Sequence, residues 1–464
     1  MKIVEKLKKY ASENKFITGA LILAVAGIAC RMLGLIFRIP LTNIVGSFGM
    51  GLYQMVFPLY ALLLIVSSAG FPVAISKMIA RNKDDPQYCK RVLYNALFLL
   101  GIIGAALTLL LMIFSGGIAR LQGNADIGII YIAIAPSILI VCIISAFRGY
   151  FQGKQNMVPT AVSQIIEQVV KVSVGMTLAL VLIGTSVEMA VFGAILAVTV
   201  SEVVALVYLL ITYRLKSRAV AGATKGNKSK GVLDKKLMSE IFRQALPITA
   251  MATIFPLILV FDSMVIVNLL KTGGTSGHEA TQLFGIQSGI VHTLINLPAV
   301  IGVALATATV PALSRLVKQK NVAELCRKSW LSVKMALGIA VIFVVTYMIF
   351  AEFIVNLLYH NAFKDNTTHF GVAVTLLRIE SIMIVFMLVS QVFTAIMQAT
   401  DKAKYPLIAI GIGGLAKVIF EVATIGAIGI YAVSIGSIIC FAIAAAINLF
   451  CVLRFGFKNA RMNS

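Results

Sequence analysis

The chain consists of long apolar stretches, each separated from the next by a short polar connection. A helix needs about 20 apolar residues to cross the roughly 30 Å hydrocarbon core of a bilayer. Twelve stretches are this long, at residues 16–38, 52–76, 92–115, 127–147, 158–184, 187–213, 238–270, 282–313, 335–358, 370–397, 405–426 and 429–453. The sequence therefore predicts an all-α integral membrane protein with twelve transmembrane helices.

Charged residues are too few to cover the surface of a soluble protein of this length. They make up 12% of the chain, against 59% hydrophobic residues, whereas about a quarter of a soluble domain is charged. The balance is also strongly basic, with 40 basic and 18 acidic residues and a formal net charge of +22. In a soluble protein such a balance would point to nucleic acid, so the positions of the charges decide its meaning.

Most basic residues lie on one side of the predicted membrane. The N-terminus, the even-numbered connections and the C-terminal tail hold 32 of the 40, and the opposite side holds three. The positive-inside rule places the 32 in the cytoplasm, together with both termini of a multi-pass protein of the cell membrane. Topology accounts for the net charge, so no nucleic-acid partner is expected. The remaining five lie inside predicted spans: Arg31, Arg38, Lys171, Arg378 and Lys417.

A lysine-rich connection divides the spans into six and six. Residues 214–237 are predicted to form a basic cytoplasmic linker between an N-terminal six-helix bundle, 16–213, and a C-terminal one, 238–453. A basic N-terminus, 1–15, and a tail, 454–464, complete the domain organisation. The linker contains GATKGNKS, but its glycine and lysine spacing does not match a phosphate-binding loop, so no nucleotide partner is expected.

Two parts of the chain repeat each other. FRGYFQGKQNMVPTAVSQIIEQVVK, around the fourth and fifth spans, corresponds to FTAIMQATDKAKYPLIAIGIGGLAK, around the tenth and eleventh. The matched pairs, at an offset of 246 or 247 residues, are Phe147 and Phe393, Gln152 and Gln398, Pro159 and Pro406, and Lys171 and Lys417. Repeats in parallel orientation are typical of transporters that rock about a central site.

The chain resembles the stage V sporulation protein B type polysaccharide and lipid II exporters, which belong with the MurJ-like flippases of the multidrug/oligosaccharidyl-lipid/polysaccharide (MOP) superfamily. The stretches that carry the resemblance include RMLGLIFRIPLTNIVGSFGMGLYQMVFPLY, GYFQGKQNMVPTAVSQIIEQVVK and INLPAVIGVALATATVPALSR. The resemblance implies a MATE/MOP-like fold and export of an undecaprenyl-pyrophosphate-linked glycan, either lipid II or a polysaccharide repeat unit, without ATP. It also implies a cavity lined by arginines. Arg31 matches a first-span position of that cavity, and Arg38 matches with a shift of one residue.

Ionisable residues inside a span are costly and are functional candidates. Arg31 and Arg38 lie seven residues apart on the first span, and Asp262 lies on the seventh. We expect these three to line a cavity between the halves, where a guanidinium can fork onto pyrophosphate oxygens. Two other interpretations remain open: a structural ion pair that fixes the register of the halves, and an Arg38 side chain that reaches the outer surface.

Further polar residues complete the predicted cavity. Of Arg378 and Glu380 in the tenth span, we expect Arg378 to point into it. The second and eighth spans add residues that could bind sugar hydroxyls: Gln54, Gln287, His292 and Asn296. Polar side chains also hold membrane helices together, and the sequence does not separate these two roles.

Two pairs of opposite charges are spaced four residues apart, so each can neutralise itself on one helix face. They are Glu167 with Lys171 on the fifth span and Lys417 with Glu421 on the eleventh. The alternative role is coupling to Na⁺ or H⁺, with Glu202 on the sixth span as a further candidate.

These features predict an alternating-access exporter of a lipid-linked glycan, with membrane lipids as its surroundings. A MATE-type cation-coupled multidrug antiporter is the alternative. The predicted outer connections are about a dozen residues or shorter and carry no catalytic motif, so the protein is not expected to be an enzyme. The scattered cysteines predict no metal site, and we expect a monomer without a cofactor.

Overall fold

The structure is a computed structural model that describes residues 15–221, 233–364 and 366–456. Regular secondary structure in these residues is helical throughout, without a strand. Eleven of the described helical segments are long and apolar enough to cross a membrane. The first of them, Ile22–Arg81, contains the second predicted span and all of the first except residues 16–21. The protein is therefore an all-helical, multi-pass membrane protein, as predicted.

The helices follow one another with short connections. The N-terminal part of the chain forms α1 (Lys15–Ser68), α2 (Phe71–Arg81), α3 (Pro86–Leu121), α4 (Ile127–Gly153), α5 (Val158–Leu182), α6 (Val187–Ala221) and α7 (Lys235–Ala252). The C-terminal part forms α8 (Ile254–Thr272), α9 (Gly277–Phe284), α10 (His292–Lys318), α11 (Val322–Tyr359), α12 (Thr367–Ser381), α13 (Met383–Ala399), α14 (Lys404–Ile428) and α15 (Tyr431–Cys451).

A break in α1 separates the first two spans. Gly46 has φ 70° and ψ −177° in the middle of this run, a backbone conformation that is open to glycine almost alone. A side-chain carbon added at Gly46 would meet no atom within 4 Å. The position therefore requires glycine for its backbone angles and not for space.

Replacing Gly46 by alanine should lower the free energy of unfolding by about 1–3 kcal/mol, the usual cost of a strained backbone conformation. Heat-induced unfolding in detergent measures the change. Gly426→Ala on α14 is the matched control, because its new carbon also meets no atom within 4 Å while its backbone is helical. That variant should be neutral or slightly more stable. Equal melting temperatures for the two variants would contradict the prediction.

The seventh span is shorter than the sequence predicts. Instead of one helix over 238–270, the chain forms α7 and α8, separated at Thr253. Pro256 lies in the first turn of α8, where its missing N–H removes no helical hydrogen bond. Helix α7 begins inside the predicted linker, because the Asp234 carboxylate accepts hydrogen bonds from the backbone N–H groups of Lys236 and Leu237.

The eighth span changes its helical pitch. Between α9 and α10, residues Gly285–Val291 form a π-helical segment. Here the chain packs closely on the middle of α1: a side-chain carbon at Gly285 would lie 2.1 Å from the carbonyl oxygen of Ser47, and one at Gly51 would lie 2.1 Å from that of Thr281. π-Helical turns often occur at functional sites, and this one contains the predicted site residue Gln287.

The described residues divide into two compact units. Unit 1 consists of the described residues of Met1–Gly34, Val56–Ala119 and Ala125–Pro256. Unit 2 consists of Leu35–Met55 and Arg120–Asn124, with the described residues of Leu257–Ser464.

The two units do not coincide with the predicted six-helix bundles. Residues 35–55 belong to unit 2, and α7 belongs to unit 1. Helix α7 packs on the start of α2, where the backbone N–H of Gly70 donates to Thr249 Oγ1 at 3.2 Å. The apolar face of α7, with Leu237, Ile241 and Ala245, joins the hydrophobic core of unit 1.

The two repeated connections take the same backbone shape. After α4, Gln155 has φ 57°, and after α13, Asp401 has φ 58°. The backbone N–H of Asn156 donates to Phe151 at 2.9 Å, and the N–H of Lys402 donates to Met397 at 2.8 Å. Both connections are helix C-caps with a left-handed residue. The local repeat read from the sequence is therefore present in the backbone at an offset of 246 residues.

Candidate functional site

Three buried charged side chains meet inside unit 2. Lys417 on α14 donates to Asp262 Oδ2 on α8, and its Nζ lies 3.3 Å from Glu421 Oε1 one turn further along α14. Lys417 is 5% exposed, Asp262 8% and Glu421 1%. We call Asp262, Lys417 and Glu421 the charged cluster.

Small residues let the surrounding helices close on the charged cluster. A side-chain carbon at Gly414 on α14 would lie 2.1 Å from Ile258 Cδ1 on α8, so the two helices are in close contact. At Gly436 on α15, such a carbon would lie 3.1 Å from Glu421 Oε1. Small residues commonly allow this approach between membrane helices, and here they bring charges from two helices together.

With all three groups ionised, the charged cluster has a net charge of −1, because two carboxylates face one ammonium. Asp262 Oδ1 and Glu421 Oε2 accept no hydrogen bond from the described residues. A buried ion that lacks full compensation costs several kcal/mol. The arrangement can therefore bind one more positive charge, a proton or a monovalent cation, without adding net charge to the interior.

A second buried carboxylate lies in the same unit. Glu380, at the end of α12, is completely buried. Its Oε1 accepts hydrogen bonds from Gln287 Nε2 at 2.6 Å and from Ser434 Oγ at 2.8 Å. Its Oε2 has no hydrogen-bond partner in the described residues. The neighbouring Arg378 is exposed.

Unit 1 has a buried carboxylate of its own. Glu202 on α6 is 1% exposed, and Tyr60 Oη on α1 donates to its Oε1 at 2.6 Å. Glu167 on α5 accepts from Arg148 Nη2 at 2.9 Å, and the same guanidinium donates to Ser163 Oγ at 3.1 Å. Glu167 therefore has a partner from α4 in addition to any contact with Lys171, which is half-buried four residues further along α5.

The two first-span arginines lie in different units. The boundary between the units falls between Gly34 and Leu35, so Arg31 belongs to unit 1 and Arg38 to unit 2. Arg31 is exposed and Arg38 is half-buried. Arg31 makes no ion pair with a described residue. That Arg31, Arg38 and Asp262 line one cavity stays a prediction. In the structure, Asp262 pairs with Lys417.

The remaining predicted residues belong to unit 2. Gln54 is buried and donates to the backbone carbonyl of Ser288 in the π-helical segment. His292 and Asn296 are half-buried on α10. The structure thus brings Gln287 to Glu380 and Gln54 to the eighth span, both through hydrogen bonds between helices.

Three of these side chains are not among the predicted site residues: Glu380, Arg148 and Tyr60. Glu380 carries a signal in the sequence, because a glutamate inside a span is a functional candidate in its own right. Arg148 directly follows the fourth predicted span, a position that indicates a cytoplasmic connection and not a site. The partner of Glu202 could not be found by spacing, since Tyr60 is 142 residues away in the chain.

Two family models and several known proteins match this sequence. A family model described as polysaccharide biosynthesis protein matches residues 16–317, and a MatE model matches residues 287–423. Stage V sporulation protein B of Bacillus subtilis (strain 168) is 32% identical over 352 residues, which cover 75% of this chain and 67% of that protein. Lipid II flippase MurJ of the same organism is 24% identical, over 88% of this chain and 77% of its own length.

Solved structures share the fold. An inward-facing multidrug resistance MATE family transporter of the MOP superfamily superposes with a TM-score of 0.74 over 95% of this chain and 99% of its own, at 17% identity. A MOP superfamily transporter from Pyrococcus furiosus, described as having a binding pocket of reverse polarity, superposes with a TM-score of 0.64 at 18% identity. The superposition covers 96% of this chain and 95% of the Pyrococcus furiosus transporter. At these identities the likeness establishes the MATE-like fold alone.

Proposed function

The chain belongs to the polysaccharide biosynthesis protein family of MOP superfamily flippases and transporters, and from this premise we propose that it exports a lipid-linked glycan. The cargo is an undecaprenyl-pyrophosphate-linked saccharide, which the protein moves from the cytoplasmic to the outer leaflet by alternating access. The similarity to lipid II flippase MurJ over 88% of this chain and the match to the polysaccharide biosynthesis protein family support this substrate class.

The observation that carries the proposal is Arg31. A charged residue at the middle of a membrane helix costs roughly 3 kcal/mol on insertion scales, yet this guanidinium is exposed and has no ion-pair partner in the described residues. A guanidinium keeps its charge at all relevant pH values and binds phosphate oxygens through two parallel hydrogen bonds. An anionic pyrophosphate head group is the cargo that this side chain fits.

The buried carboxylates supply coupling sites for the cycle. The charged cluster of unit 2 and Glu202 of unit 1 each have a carboxylate oxygen without a hydrogen-bond partner in the described residues. Uptake of a proton or of Na⁺ at such a group changes the charge inside one unit, and a conformational equilibrium responds to any ligand that binds one state better. Cation binding in this way would reset the empty transporter.

Specific observations favour a second candidate, a cation-coupled multidrug antiporter. The MatE model matches residues 287–423, which include Lys417 and Glu421 of the charged cluster, and the structural neighbours include a multidrug resistance transporter. Buried carboxylates suit a cationic drug as well as a coupling ion. The two functions differ in the sign of the cargo, which makes them separable by experiment.

Export in proteoliposomes should depend on the membrane potential. Each elementary charge that crosses 100 mV changes the free energy by about 2.3 kcal/mol, roughly 50-fold in an equilibrium constant. An interior-negative potential therefore drives an anionic head group outward, and collapsing it with valinomycin and potassium should slow the flipping of undecaprenyl-pyrophosphate-linked substrates. A flipping rate that depends neither on the membrane potential nor on the Na⁺ and H⁺ gradients would contradict the mechanism.

Depletion of the protein in cells identifies the cargo. The proposal expects one undecaprenyl-linked intermediate to accumulate in the cytoplasmic leaflet, and lipid analysis would name its glycan. Loss of cation-driven efflux of a cationic dye, with no accumulating intermediate, would instead establish the antiporter.

A further inference from the structure

Helix α11 leaves the apolar core of the membrane at Glu352. The preceding 17 residues, 335–351, contain no charge and extend about 25 Å at 1.5 Å per residue, close to the roughly 30 Å of a hydrocarbon core. Glu352 and the residues after it therefore lie at the level of the lipid head groups. On the orientation given by the positive-inside rule, this is the outer leaflet.

A cavity of about 610 Å³ opens at this level within unit 2, a size that suits a small molecule. The helix axis changes direction just before it, because Phe350 has non-helical angles of φ −104° and ψ 16°. The chain then tightens into a 3₁₀ turn, His360–Phe363, and returns as α12. The cavity lies between the end of α11 and the start of α12.

Polar groups line one side of this cavity. Glu352, Asn356 and His360 follow one another at intervals of four residues, the first two on one face of α11 and His360 at the start of the 3₁₀ turn. His360 Nδ1 lies 3.0 Å from Asn356 Oδ1, and Lys364 completes the line beyond the 3₁₀ turn. Glu352 and Lys364 are both exposed, and neither forms an ion pair with a described residue. The cavity thus presents a negative and a positive group that are both open to an occupant.

The part of the cavity lining that precedes Glu352 is apolar and exposed. Ile349 and Phe350 are 62% and 53% exposed, and they end the charge-free run whose length matches the hydrocarbon core. An occupant must therefore combine hydrocarbon with a head group. A purely polar solute would leave these apolar side chains uncovered, and a purely apolar one would bury the Glu352 and Lys364 charges without partners.

We infer that this cavity binds a phospholipid with a primary amine, of the phosphatidylethanolamine class, in the same leaflet. Its ammonium pairs with Glu352 and its phosphate with Lys364, while its acyl chains lie against Ile349 and Phe350. The charges decide the class: an anionic phospholipid would place its phosphate near Glu352 without an ammonium to neutralise that carboxylate. This site is independent of the cargo assigned above.

A photoreactive phosphatidylethanolamine tests the inference on the full chain in nanodiscs of phosphatidylglycerol. Crosslinks should map to residues 349–370, and unlabelled phosphatidylethanolamine should compete at least about tenfold better than phosphatidylcholine or phosphatidylglycerol of the same chains, because only the primary amine forms charge-assisted hydrogen bonds with the carboxylate. Equal competition by all three lipids, or better competition by phosphatidylglycerol, would overturn the inference.

Two variants separate the head-group contacts from folding. Glu352→Gln should remove the preference for phosphatidylethanolamine, by about tenfold in competition. Glu324→Gln, at the other end of α11, should leave it unchanged. A Glu352→Gln protein that keeps its melting temperature and still prefers phosphatidylethanolamine would refute the assignment. Crosslinks that map to another helix would refute it as well.

Discussion

Replacing Lys417 by methionine is expected to lower the free energy of unfolding by about 3–5 kcal/mol, because it leaves buried carboxylates without their counter-ion. Methionine fills a similar volume, so packing around Gly436 and Ile258 is preserved. The melting temperature in detergent should fall by about 3–5 °C, since the unfolding entropy of a chain of this length is about 1 kcal/mol per degree. The effect is large because Asp262 and Glu421 are only 8% and 1% exposed, so water cannot replace the lost ammonium.

The partner carboxylates provide the internal control for this prediction. Combining Lys417→Met with Asp262→Asn and Glu421→Gln removes every charge of the cluster, and the triple variant should recover most of the lost stability, since an apolar or neutral replacement of a buried ion pair is often tolerated. Arg378→Met changes an exposed basic residue and should stay within about 0.5 kcal/mol of the parent. A Lys417→Met protein that melts like the parent would show that the charged cluster does not form.

The second large effect is expected in transport. Arg31→Ala should slow export about 10- to 100-fold, because a charge-assisted hydrogen bond to phosphate contributes about 1.5–3 kcal/mol. Arg31→Lys should retain part of the rate, since an ammonium keeps the charge but loses the two parallel hydrogen bonds of the guanidinium. The rate is measured with the glycolipid identified by the depletion experiment, at equal protein amounts.

Arg120→Ala is the matched control for Arg31. It removes an exposed arginine at the end of α3, outside the apolar part of the span, and should leave the export rate unchanged. Parental export by Arg31→Ala at a normal protein level would rule out a cavity role for this residue. It would leave the family assignment untouched, because that assignment depends on the whole chain.

Much of the fold could be read from the sequence. Span length and hydropathy set the helices, because a membrane requires about 20 apolar residues whichever neighbours a helix has. Hydropathy does not predict the break at Thr253, because it stays high through Pro256 and does not register where hydrogen bonding along the helix stops. It also does not predict the start of α7, since one capping aspartate, Asp234, is a weaker signal than a run of lysines.

Less of the candidate site could be predicted, and the reason is distance along the chain. The contact between Lys417 and Glu421 follows from helical spacing. Lys417 and Asp262, in contrast, are 155 residues apart, and no periodicity links them. Glu380 was recognisable as an intramembrane charge, but its partner Gln287 is positioned by a π-helical segment that shifts the helix face away from regular spacing.

The composition of unit 2 has a consequence for how the protein is made. Its segment 35–55 leaves the ribosome about 200 residues before the largest part of the unit begins at Leu257. At 5–20 residues per second, this segment waits roughly 10–40 s for its packing partners. During that time Gly51 and Gln54 lack the eighth-span contacts that later bury them, so lipid or an insertion factor must shield them. Mutations in this short segment should therefore impair biogenesis more than their effect on the finished protein suggests.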